Sequence, residues 1–349
     1  MCRGMAGDWL LVETLGKEPA VVALGRQLRN FVPVTVFLRR NPRLAAIQSA
    51  IAESLETSKS LVSITPKNDR VIRTEPVLMS DGRIHGVHVW SGPAGDEPPG
   101  RPIPGPLKWD MTLGVATDTP ESLTNTGRNL EIEDPEGRPF AQSWPSGDLK
   151  PNEGKALAAA VRSEPGHTLC DTWDSTDWQG NHIRVSFVAR NGLEPGTNGR
   201  DHMIARGMNW RAEPADRAQP ADRLAQQILH GLAQPGVHRA LFDPYNWTVL
   251  KWLDEPCPFY DWQRIAADAP RMHPRDEAKM AAMTAEFARG AASGVLRMPG
   301  HHGEWVAVHV TVSRVEIEQE TYAGLVSLRL PTQTELAEAD LPDTAATED

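Results

Sequence analysis

The sequence predicts an α+β chain of three domains, each a central antiparallel sheet with helices on one face. Three observations carry this expectation. At 349 residues the chain exceeds what one core supports, because single cores stop growing at roughly 250–300 residues. Two stretches interrupt it: PAGDEPPGRPIPGP over residues 93–106, too dense in Pro and Gly for a helix or central strand, and AEPADRAQPAD over residues 212–222. The third observation is a repeat. DGRIHGVHVW, QGNHIRVSFVA and HGEWVAVHVTV align on Gly82, Gly180 and Gly303; five residues on stand Val87, Val185 and Val308, and seven on stand Val89, Phe187 and Val310. The place between holds His88, Ser186 and His309, so apolar and polar positions alternate in one register. That alternation after a glycine turn describes the second strand of an antiparallel hairpin with one face buried.

The elements follow in order. Each segment opens on a Trp-bearing strand pattern: DWLLVETL from Asp8, LKWDMTLGVA from Leu107 and RALFDPYNWTVLKWL from Arg239, where Asp243, Pro244, Tyr245 and Asn246 suit a turn. Helical pattern comes next. In the first segment Asn41 can cap, Pro42 suits the first helical position, and Leu44, Ile47, Ile51 and Leu55 share a face. The middle segment has a short version, KALAAAV from Lys155. In the third, Pro274 suits the first turn, Asp276 and Glu277 favour the positive helix end, and Met280, Met283 and Phe287 fall at helical spacing. Each segment then returns to two or three strands, which argues for helices gathered on one face of each sheet. The expected domains are 1–92, 107–212 and 234–333, joined by a linker at 93–106 and by a linker and helix at 213–233, where Leu224, Ile228 and Leu232 are spaced for one face.

Composition excludes several classes. No run approaches the ~20 apolar residues that span a bilayer, and the net charge of -10 gives no footprint for nucleic acid, whose affinity rests on Lys and Arg. The stretch from Thr332 holds six acidic residues and no Lys or Arg, so residues 334–349 are expected to be a disordered acidic tail. Cys2, Cys170 and Cys257 show no metal spacing and no disulfide framework, and the N-terminus lacks a secretory pattern; a reduced, cytoplasmic location is the expectation. Cys257 could sense redox state only if exposed and of lowered pKa. The 11 Trp against 7 Phe and 3 Tyr are unusual, and Trp9, Trp109, Trp247, Trp90, Trp210 and Trp305 recur at matching places, where they are expected to mark sheet faces and domain contacts.

The third segment's DWQRIAADAPRMHPRDEAKM resembles the PAS pattern in which a Trp-containing stretch leads to a His-Pro-x-Asp turn, here His273 to Asp276, and a helix. With WLLVETL, SITPKNDRVIRTEPV and CPFYDW, the chain resembles a mycobacterial family of triple sensor-domain proteins. That family is described as having two PAS domains and one GAF domain without an effector. The resemblance implies PAS-like first and third domains and a GAF-like, or variant PAS, middle domain.

No phosphate loop, dinucleotide fingerprint, H-E-x-x-H or nucleophile elbow is present, nor are the usual effector motifs, so no enzyme activity is expected. The candidate ligand pocket lies in the third segment: Trp252, Tyr260, Trp262, His273, Met280, Met283 and Phe287. A weaker alternative is a metal-dependent enzyme using His301, His302 and Glu304, or Asp171, Asp174 and Asp177, although the latter lack calcium-loop spacing. The expected function is a non-catalytic sensor or scaffold that takes a small molecule or protein signal and acts on a separate protein partner; no particular cofactor is implied. A helix near residues 222–233 is the expected place for a domain shift. The remaining alternative is a structural interaction protein with filled sensor folds.

Overall fold

A computed structural model gives the structure of the chain over residues 7–64, 69–143, 153–161, 164–196, 199–213, 223–264, 270–318 and 320–341. The first domain contains β1 (Leu10–Glu13), β2 (Ala20–Leu24), β3 (Gln27–Pro33), α1 (Val34–Phe37), α2 (Leu44–Thr57), β4 (Leu61–Ile64), β5 (Arg70–Leu78) and β6 (Ile84–Pro93). The middle domain contains β7 (Gly105–Asp110), β8 (Val115–Asp118), α3 (Pro120–Asn125), β9 (Arg138–Pro139), α4 (Glu153–Val161), β10 (Thr168–Thr176), β11 (His182–Pro195) and β12 (Asp201–Arg211). After α5 (Arg223–Gly231), the third domain contains β13 (His238–Asp243), β14 (Thr248–Trp252), α6 (Glu277–Phe287), β15 (Ala291–Pro299), β16 (Trp305–Glu318), β17 (Thr321–Arg329) and α7 (Gln333–Glu338).

The sheets run β3-β2-β1-β6-β5-β4, β9-β8-β7-β12-β11-β10 and β14-β13-β17-β16-β15. One order is used three times: an opening pair, a helical excursion, then a three-strand meander whose last strand returns beside the first. The first two sheets each add one edge strand. Gly82, Gly180 and Gly303 occupy the same hairpin position with φ of +80°, +88° and +88°, a region that L side chains rarely adopt, which explains why the repeat aligns on them. Val87, Val89, Val185, Phe187, Val308 and Val310 are all buried.

Helix α2 lays Ile47 and Ile51 on the inner face of the first sheet, against Leu10, Val12, Val21, Ile72, Val87 and Val89. The residues in between face the other way and meet the middle domain. Leu11, Val22, Ala23 and Val77 pack on Val188, Met208 and Trp210, so the first and middle sheets stand back to back. At Gly86 a side chain would lie 2.8 Å from the Met208 methyl, so glycine permits the approach. Beyond the middle sheet lies α4, which also rests on β16 and β17 of the third sheet. Leu241, Leu250, Leu253 and Ala323 of the third sheet therefore share a core with Ala156, Leu157 and Ala160 of α4 and with Trp109, Phe140 and Phe187. The third sheet turns its other face to α6.

Several expectations need correction. His88 and Ser186 do stand on the polar strand face, and what changes is that this face is buried, because it forms the contact between the first two domains. Trp247 stands in the turn before β14 with φ of +53°, not in an opening strand. The middle domain has a helix beyond those expected: the Thr119 hydroxyl accepts from Ser122 N, Pro120 takes the first turn, and Glu121 follows. Residues 332–341 are not disordered. Thr332 and Glu335 form a reciprocal capping box, Arg329 binds the Glu335 carboxylate, and Leu336 is buried against Val295 and Ala307. Two leucines in an acidic stretch are enough to dock it; residues 342–349 lie outside the described residues. In the 93–106 linker, Pro99 O accepts from Trp9 Nε1 at 2.9 Å and Arg101 pairs with Glu75, so it straps the first domain.

Candidate ligand-binding site

The middle domain holds a cavity of about 430 Å³, within the size range of small-molecule sites. Its wall is the exposed end of the sheet's helix-facing side, with Trp173 and Ser175 on β10 and Val185 on β11. The Trp173 ring stacks on Phe187 at 5.4 Å, and Phe187 on Trp109 at 5.1 Å, which fixes the indole's plane. Opposite lies the chain after α3, from Thr126 to Glu133. Arg128 anchors it by pairing with Glu133 at 3.1 Å and donating to Gln142 O. At the mouth, Trp178 is exposed, and Asp177 accepts from Gln179 N and Asn181 N to hold the hairpin turn. The Asn181 side chain keeps the Asp177 carboxyl below the usual range.

Two features give this space chemical character. Ser143 Oγ is buried on its lining without a hydrogen-bond partner among the described residues. Glu153, the first residue of α4, lines the cavity and also accepts from Lys251 Nζ of β14 at 2.8 Å. The Lys251 side chain is 0% exposed and that of Glu153 4%, so this ion pair is buried between the middle and third domains.

The sequence-predicted pocket is brought together, but as core. Trp252, Tyr260 and Met283 are buried with Leu296, Val308 and Val310, while Trp262, Met280 and Phe287 pack against them half-buried. The space left beside Met283, Phe287, Phe242 and Trp247 is about 10 Å³, room for one water. His273 is elsewhere: its Nδ1 accepts from Arg275 N, capping the turn before α6, and its ring meets Trp305 edge-on at 5.2 Å. Asp276 of the same turn binds Arg297 Nε and Nη2, which ties the turn to β15.

Neither metal alternative assembles. The Glu304 carboxylate accepts from His302 N within the β15–β16 turn, and His301 instead faces Asp261 at 3.8 Å. Asp171 faces Lys155, Asp174 faces Arg184 and Asp177 holds its turn, so the three carboxylates diverge along one strand and turn. Among the described residues no group of three His, Cys, Asp or Glu is placed to hold a metal. Cys257 is buried and its thiol is pushed up to about 12 by desolvation, which removes the reactivity a redox sensor needs.

The contact between the first two domains carries its own electrostatics. His85 Nδ1 donates to Gly207 O at 2.9 Å, and its Nε2 accepts from Arg206 Nη1 at 3.2 Å. Arg206 also binds Glu194 and Asp81, each at 2.7 Å, and Glu13 binds Arg190 at 2.8 Å. Burial pushes both His85 and His88 down to about 4. Neither this cluster nor the cavity is legible in the sequence, because both are made by residues from separate elements whose spacing follows no motif.

Three family descriptions match in sequence order: "Rv3651-like, N-terminal" over residues 8–100, "Rv3651-like, middle domain" over 103–212, and "Rv3651-like, C-terminal domain" over 222–339. A solved structure described as a putative uncharacterized protein from Mycobacterium tuberculosis is 64% identical, with a TM-score of 0.84, over 96% of this chain and 99% of that one. A sensory box histidine kinase/response regulator from Burkholderia thailandensis is 12% identical over 37% of this chain and 86% of that chain, with a TM-score of 0.22. The periplasmic sensory domain of a Campylobacter jejuni chemoreceptor is 10% identical over 67% and 74% of the two chains, also with a TM-score of 0.22. Those last two overlaps are too slight to carry an argument about fold. Comparison with curated proteins gave no match. Among the described residues no helix is long and apolar enough to cross a membrane. With all three segments matched and a near full-length relative at 64% identity, the chain belongs to the Rv3651-like family.

Proposed function

We propose that the protein is a non-catalytic multi-domain sensor or scaffold, with PAS-like first and third domains and a GAF-like middle domain, that relays a small-molecule signal to a separate protein partner. One observation carries the reading. Of three sheets with a common strand order, the middle one has an open cavity of about 430 Å³ beside its helix-facing side, and a carboxylate on its lining is shared with the next domain. A ligand there would act by binding unequally to two arrangements of the domains. The Glu304 carboxylate accepts from the His302 backbone N–H and His301 faces Asp261, so this cluster lends no support to a metal-dependent enzyme.

Native mass spectrometry and thermal shift of the full chain against a metabolite panel test the reading, with Ser175→Phe, which fills the cavity, as control. A bound species and a raised melting temperature, both lost in the control, are expected. No bound species and no shift would leave a structural scaffold instead.

A further inference from the structure

We propose that the turn between α1 and α2 is a docking surface for a short acidic segment of a partner protein, whose carboxylates are held by Arg39, Arg40 and Arg43. This names the chemistry of the partner in the proposed function and rests on that reading only for there being a partner; the cavity plays no part in it. Charge is the first observation. Residues 1–92 hold 12 Lys and Arg against 8 Asp and Glu, while the rest of the chain holds 24 against 38, so the first domain is the basic part of an acidic protein. Three of its carboxylates are moreover taken from outside the domain: Glu13 by Arg190, Glu75 by Arg101 and Asp81 by Arg206.

The guanidiniums themselves are the second observation. Arg39, Arg40 and Arg43 stand within five residues, and none of the three has an ion pair, a side-chain hydrogen bond or a ring contact among the described residues. Arg39 and Arg40 are exposed and Arg43 is half-buried. The first turn of α2 carries no acidic residue, and the first carboxylate along that helix, Glu53, lies about 15 Å beyond Arg43, so the helix does not neutralise them. The same stretch exposes Val36, Pro42, Ala45 and Ala46. Guanidinium forks match carboxylates in bidentate geometry, and the apolar neighbours suit an acidic segment that carries an apolar residue. A nucleic acid or an anionic membrane would extend past these three arginines and meet the acidic excess of the remaining chain, so a short segment is the better fit.

Fluorescence anisotropy of the full chain with a labelled peptide of glutamates around one valine tests this, beside a counterpart with glutamine in place of glutamate. The glutamate peptide is expected to bind at least about tenfold tighter than the glutamine peptide, and to weaken as salt is raised. The joint variant Arg39→Gln, Arg40→Gln, Arg43→Gln should lose that advantage, and Arg40→Gln alone, at an exposed position that folding does not need, about threefold. Arg275→Gln with Arg289→Gln, which removes two exposed arginines of the third domain, should leave the affinity within about twofold. Equal affinity for the two peptides, or binding of neither, would overturn the acidic partner, and an equal loss in the third-domain variant would overturn the place. Tighter binding of single-stranded DNA or of phosphatidylserine vesicles than of the glutamate peptide would overturn the protein segment in favour of that polyanion. Each of these results leaves the metabolite reading standing, since the thermal shift decides it separately.

Discussion

In the third domain, α6 sends Met283 and Phe287 toward the sheet, where with Phe242 and Trp247 they leave about 10 Å³ unfilled. In the middle domain, the corresponding helix α4 offers Ala156, Ala158, Ala159 and Ala160, and the space beyond its first turn stays open at about 430 Å³. The difference has a structural cause. Helix α6 serves one sheet and can be bulky, whereas α4 lies between two sheets and must be thin on both sides. A helix shared by two domains thus leaves room at its end and ties whatever fills that room to both.

The contrast can be broken first at the shared ion pair. Lys251→Met should cost about 4 kcal/mol, because it removes the ammonium from a buried ion pair, whereas adding Glu153→Gln to it should recover most of that loss. Urea unfolding measures both; a small single-variant cost would mean that water reaches the pair. The filling itself is sharpened by two truncations. Trp252→Ala in the packed third domain should cost about 4 kcal/mol, and Trp173→Ala, whose ring already borders open space, about half as much. Trp252→Phe should be close to neutral, since the Trp252 indole N–H has no hydrogen-bond partner among the described residues.

Acid should separate the middle domain's two contacts. His85 and His88 have native pKa values of about 4 against an ordinary value of 6.5, so between these the unfolded chain binds more protons. Their contribution is therefore complete above pH 6.5 and is lost as pH falls toward 4, by about 3 kcal/mol per histidine. Exchange at β6 and β12 should rise in this window before that at β14; simultaneous loss would show that the two contacts unfold as one. The smallest effect is expected at the third domain's margin. Thr332→Ala removes half of a capping box and should cost about 1 kcal/mol, read as a small drop in melting temperature.

Much of the frame was legible. Gly82, Gly180 and Gly303 are turn residues whose conformation demands glycine, so the repeat they mark was a backbone signal. Ile47 and Ile51 on α2, and the Asp243 turn with its Tyr245 and Asn246 donors, were readable from local spacing. What the sequence hid was non-local. His88 and Ser186 look solvent-facing in a period-two pattern, because a strand does not declare whether its second face meets water or another sheet. Lys251 likewise reads as a surface residue until the partner at Glu153 is found 98 positions away. The candidate pocket residues, His273 apart, are large, largely apolar side chains of one segment, but periodicity cannot distinguish a wall from a filling.

The back-to-back packing of the first two sheets has a consequence for how the protein is made. The first domain ends at Pro93, yet Met208 and Trp210, which cover its outer face, lie on β12, the last strand of the middle domain. At ordinary synthesis speeds roughly ten seconds separate the two on the ribosome. During that interval the cover for Leu11, Val22 and Val77 has not been made, so the first domain's outer face can be completed only after β12 emerges.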